Sequence, residues 1–207
     1  MNFNNKLKLC APKPARTQSP ITLAASLQQN QFRMIKIYAT RKSEEIFGQL
    51  EKDDLIEEVC EKWNCHVFIL ERKRHFLLVH KETLYGIVVN NITKKELKNL
   101  HNLLLSELEE RLIQDYGDAE GVKDYISENY KVLKIFSTDN DQRTLGTLKD
   151  QIYHIKAYCE DKTEKLNSAK TYCQNYLNDM PIGVRNFNSP SELMGMKLNL
   201  KPRTRRI

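Results

Sequence analysis

Four residues in one polar stretch, Ser137 to Asp150 (STDNDQRTLGTLKD), have the types and spacing to hold an anion. Asn140, Arg143, Thr144 and Thr147 surround the point where a loop turns into a helix. The first turn of a helix leaves backbone N–H groups unpaired, and an arginine beside it suits a phosphate or a carboxylate. The same letters also spell an Asx turn and an N-cap, with Arg143 paired to Asp139 or Asp141.

A second set is the basic turn Arg72, Lys73 and Arg74, with His66, His75 and His80 nearby. Histidine moving protons while arginine steadies a crowded phosphate would cleave RNA without a metal, as a toxin-type ribonuclease does. Arg143, Thr144 and His80 are the residues that would carry such chemistry. Strand alternation weighs against convergence, because His75 and His80 are an odd number of residues apart and point to opposite faces. His101 and His154 lie on apolar helical stretches and read as core or border residues. The tail KPRTRRI (Lys201, Arg203, Arg205, Arg206) suits nonspecific attraction to nucleic-acid phosphates.

Other chemistries find little footing. Cys65 and His66 are adjacent and diverge on a strand, and no other Cys or His pair has zinc-ligand spacing, so no metal is expected. None of the glycine-rich nucleotide or nucleophile motifs occurs in a chain with seven glycines, and no cofactor is expected. Five cysteines, an odd count without C-x-x-C, read as reduced thiols in a cytoplasmic protein. No apolar run reaches the length of a membrane span.

The elements that must position these residues begin with Cys65 to Asn90, three apolar runs joined by connections too short for a parallel crossover. They predict an antiparallel sheet of three to five strands, covered on both faces by several helices, in a single α+β domain. Met34 opens a strand, MIKIYAT. Ser43 is the expected cap of a short helix ended by Gly48, and Asp53 or Asp54 that of a helix placing Leu55, Ile56, Val59, Cys60 and Trp63 on one side. Thr93 and Glu96 form a capping box before Leu97, Leu100, Leu104, Leu108 and Leu112. Further helices are expected over 118–128, 145–159 and 163–178, a strand over 130–136, and a last helix capped by Ser189 with Pro190 and Glu192.

Charge divides the 207 residues into three. Residues 1–33 carry five basic side chains and no acid, and read as a flexible arm with Pro12, Pro14 and Pro20. Residues 197–207 carry five more and no acid. Of the 33 basic residues, 23 remain over 34–196 against 27 acids, so the α+β body is mildly acidic and its ends are basic. Met34 reads as a natural start, with the arm as an extension.

The strand MIKIYAT, the run HFLLVHKETL, the segment QRTLGTLKD and the closing PIG with SPSEL resemble a family of small prokaryotic proteins classed as a domain of unknown function. The resemblance spans Met34 to Leu198, with Arg143, Thr144, Gly146, Thr147 and Asp150 at the distinctive loop positions. It implies a bacterial or phage-borne origin and one compact domain, and brings no activity or ligand with it. The resulting expectation is an interaction module for a protein or nucleic-acid partner, in the manner of mobile or defence loci. The alternatives are the ribonuclease above and an inhibitor that occupies another enzyme through its acidic surface.

Overall fold

The computed structural model describes residues 34–54, 60–130, 132–162 and 165–200. The expected arm, and Lys201, Arg203, Arg205 and Arg206 of the tail, lie outside them.

A five-stranded sheet forms the middle layer, in the order β4-β3-β2-β1-β5. Its strands are β1 (Met34–Ala39), β2 (Cys60–Leu70), β3 (Lys73–His80), β4 (Gly86–Val89) and β5 (Val132–Phe136). The antiparallel part, β2-β3-β4, is the expected one, with Trp63 opposite His80 and Phe76 opposite Val89. β1 joins it in parallel to β2, and β5 in parallel to β1, so the sheet is mixed. The chain leaving β1 has enough residues to cross over before it enters β2, which a two-residue turn does not.

Three helices reach one face of this sheet: α3 (Leu100–Tyr116), α4 (Ala119–Asn129) and α7 (Pro190–Leu198). They meet Ile35, Ile37, Trp63, Cys65, Val67, Phe76, Leu78, Ile87 and Val89. The other face, with Phe68, Leu77, Val79 and Val88, is covered by α5 (Gln142–Lys162) and α6 (Leu166–Asp179). Two covered faces explain the near-continuous apolar runs. The short helices α1 (Arg41–Phe47) and α2 (Lys94–Leu97) complete the set, α2 with the predicted Thr93–Glu96 capping box.

Two local expectations are corrected. Cys60 and Trp63 sit on β2, not on a helix; Leu55, Ile56 and Val59 lie outside the described residues. The spacing of three and four fits a helix, but Trp63, Cys65 and Val67 continue with period two, and pairing on both sides with β1 and β3 settles the strand. Ser43 does not cap α1, whose N-cap is Thr40. It is fully buried, and its Oγ accepts the Val67 N–H at 2.8 Å and donates to the Cys65 carbonyl at 3.1 Å, tying α1 to the sheet.

β4 lies at the sheet's margin, yet its outer backbone groups are satisfied by side chains from α6. Asn178 accepts from the Gly86 N–H at 2.7 Å and donates to the Gly86 carbonyl at 2.9 Å, while Gln174 donates to Val88. An edge strand is thereby closed without another strand. Among the described residues no helix is long and apolar enough to cross a membrane.

Candidate functional site

The start of β2, the end of β3 with its following turn, the N-terminus of α5 and the 3-10 turn Gly183–Arg185 enclose a cleft of about 320 Å³. Two groups of polar side chains meet there.

The first is closed on itself. His80 is buried, with Nε2 at 2.9 Å from Glu61 Oε2 and Nδ1 at 2.8 Å from the Thr83 hydroxyl. The Thr83 amide donates to the same Nδ1 at 3.2 Å, so Nδ1 accepts and Nε2–H is the donor to Glu61. Lys197 lies 3.2 Å from Glu61 and also pairs with Glu82. Burial works to raise the Glu61 pKa, but His80 and Lys197 outweigh it and hold the carboxyl below its ordinary value. Glu61, His80 and Glu82 offer three ligand atoms within 4.8 Å of one another, a spacing that could hold a metal ion. The Lys197 ammonium bridges the two carboxylates and supplies the cation itself.

The second group is open. Lys81 pairs with Asp139 and, at 3.2 Å, with Asp141; burial opposes its charge, and the two acids outweigh burial and raise its pKa. Asp141 caps α5, accepting the Arg143 N–H at 3.2 Å and the Thr144 hydroxyl at 2.8 Å. A carboxylate of the protein therefore stands where the sequence suggested an external anion. Thr144 is buried and Thr147 turns back to the Arg143 carbonyl at 3.3 Å. Asn140 adopts a left-handed turn conformation (φ 56°). Of those four residues only Arg143 lines the cleft, and Lys81 pairs with both Asp139 and Asp141.

Arg185 lines the same cleft as Arg143. Its Nη2 donates to the Lys81 carbonyl at 3.2 Å, whereas its Nε is buried without a hydrogen-bond partner. Burial and the charge of Arg143 lower the Arg185 pKa, against a partial offset from Glu82. Among the described residues no carboxylate comes within ion-pairing distance of it. Sequence reasoning missed Arg185 because it is 42 positions from Arg143, in a segment without periodicity. The available signal was the turn-forming run around Asn186, where Asn186 (φ 55°) and Phe187 (φ 60°) are both left-handed. Phe187, which gains nothing from that conformation by itself, is 76% exposed.

The structure separates the other basic candidates from this cleft. Arg72, Lys73 and Arg74 are exposed at the β2–β3 turn, where Glu71 and Arg72 are left-handed. Seven residue pairs of the hairpin, about 23 Å at 3.3 Å per residue, lie between that turn and the Trp63–His80 pair. His75 points away from His80: it stacks on Phe68 while His80 lies against Trp63. His80 and Arg143 do line one cleft, but both nitrogens of His80 are engaged within the closed group.

A search of curated proteins finds no match to the chain. Residues 36–193 match the domain of unknown function DUF6933, and with its α/β/α layers and the Arg143 loop inside that span the chain belongs to this family.

Proposed function

We propose that the domain is a cytoplasmic, bacterial or phage-borne binding module that takes a phosphate of a nucleic-acid partner between Arg143 and Arg185. The observation that carries this reading is that Arg143 and Arg185 line one cleft, close enough for each charge to act on the other, and that the Arg185 Nε is buried without a hydrogen-bond partner. Like charges held together destabilise the free protein, and an anion between them reverses the sign of that interaction. Arginine's planar fork matches a phosphate in two hydrogen bonds. Two further observations support nucleic acid over a carboxylate partner. Phe187, exposed two residues from Arg185, offers a ring for a base, and the ends of the sequence add nine cationic side chains, besides Lys197, to an acidic body.

Retardation of a short single-stranded RNA by the full chain, repeated at rising salt, tests the reading. Binding is expected to weaken steeply with salt and to fall at least tenfold in Arg143→Gln and Arg185→Gln. Retention of an acidic peptide but not RNA would assign the cleft to a protein partner instead. A ribonuclease is the second reading, favoured by the shared position of His80 and Arg143 in one cleft. It requires His80 to release Glu61 or Thr83, and it predicts metal-independent RNA fragments that disappear in His80→Gln. Intact RNA throughout would exclude it.

A further inference from the structure

Five aromatic rings run in an unbroken line along the outer seam of α5 and α6, remote from the cleft. Tyr153 meets His154 at 5.8 Å, His154 meets Tyr176 at 5.9 Å, Tyr176 meets Tyr172 at 6.5 Å, and Tyr172 stacks on Tyr158 at 4.3 Å. Helical spacing explains the placement. Ile155, Cys159, Cys173 and Leu177 face the sheet, and the rings occupy the flanking positions, where Tyr158 packs partly on the core and Tyr153, Tyr172 and Tyr176 reach solvent. Tyr153, Tyr172 and Tyr176 remain 70%, 52% and 46% exposed, three of the seven most exposed large apolar or aromatic side chains among the described residues. A clustered patch of this kind marks a contact surface rather than chance exposure.

His154, Tyr158, Tyr172 and Tyr176 border a cavity of about 310 Å³ whose only formally charged lining residue is Asp161. Tyrosine faces carry the negative end of the ring quadrupole, so rings and carboxylate together present one sign of potential. Lys162 reaches Asp161 only at 3.6 Å, with both side chains largely in water, an exposed pair that a better-placed cation displaces. We infer that this groove is a docking site for an arginine side chain from a basic segment of a partner protein. Arginine fits better than lysine because its planar guanidinium stacks on a ring while offering a fork of N–H donors to Asp161. The site is independent of the anion cleft. Arg143 and Asp161 are eighteen residues apart on α5, about 27 Å at the rise of a helix.

An arginine–glycine repeat peptide, added to the full chain while the tyrosine ring signals are followed by NMR, tests the inference. A saturable shift confined to the α5 and α6 tyrosines is expected, with a lysine–glycine peptide binding more weakly. Asp161→Asn, an exposed change that leaves packing untouched, should weaken binding about five- to tenfold, as should Tyr172→Leu, while Arg185→Gln should leave it unchanged. The inference is overturned if the arginine peptide does not saturate, or if a glutamate–glycine peptide shifts the same signals equally. It is also overturned if single-stranded RNA displaces the peptide from these rings, or if sedimentation shows the rings already buried between two copies of the chain.

Discussion

Two halves of one cleft have opposite electrostatic designs. In the half built from Glu61, His80, Thr83 and Lys197, each charge meets an opposite charge or a hydrogen-bond partner within the protein. In the half built around Arg143 and Arg185, two like charges share one cleft and the buried Arg185 Nε has no partner. Polar groups withdrawn from water are costly unless satisfied, so the closed half stabilises the fold, while the open half keeps the Arg185 Nε for a ligand to meet. Histidine, glutamate and threonine together resemble catalytic machinery; here their saturation marks them as structure.

The contrast predicts opposite responses to substitution. Glu61→Ala should cost about 3–5 kcal/mol in urea unfolding, because it leaves His80 and Lys197 at a buried site without their carboxylate. A loss under 1 kcal/mol would show that the closed half is not closed. Asn178→Ala tests closure elsewhere, at the β4 edge: stranding the Gly86 N–H and carbonyl in the core should cost about 2–4 kcal/mol, with hydrogen exchange at β4 accelerating ahead of the rest of the sheet.

The sequence made the layers readable because their signals are local. The apolar runs of β2, β3 and β4, the Thr93–Glu96 and Ser189–Glu192 boxes, and the three-and-four spacing of Leu148, Ile152 and Ile155 each lie within one element. What escaped was long-range. The parallel addition of β1 and β5 depends on crossovers that no spacing encodes, and Cys60 and Trp63 fit a helix until their strand neighbours are known. The candidate loop was placed correctly on a helix N-terminus, but its own Asp141 fills the anion position. Arg185, brought in by a turn 42 residues on, could be matched to Arg143 only through the fold.

A histidine outside the cleft sharpens the comparison through pH. His66 is held down to about 4 by burial and by the charges of Lys42, Lys149 and Lys156. Because the folded value lies below the ordinary 6.5, its contribution is complete above pH 6.5 and declines as pH falls towards 4, where the unfolded chain takes a proton that the native ring refuses. Discounted for partial exposure, the loss over that window is about 1–2 kcal/mol, and His66→Gln should flatten it. Glu61 acts lower: its contribution is present above the ordinary carboxylate value of 4.5 and is lost as pH drops through its lowered folded value. A stability curve of the wild type and both variants between pH 8 and pH 3 separates the two.

The smallest effect on stability belongs to the open half. Arg185→Gln relieves like charge but also removes the hydrogen bond to the Lys81 carbonyl, and together these should leave the unfolding free energy within about 1 kcal/mol of the wild type. That variant also supplies the most direct test of the whole account: unfolding of wild type and Arg185→Gln, each with and without saturating pyrophosphate. A ligand that binds only the folded state must raise its stability. The wild type should gain stability with pyrophosphate and Arg185→Gln should not, whatever small difference separates the two without it. No gain in the wild type, or an equal gain in both, would contradict the assignment of an anion site between Arg143 and Arg185.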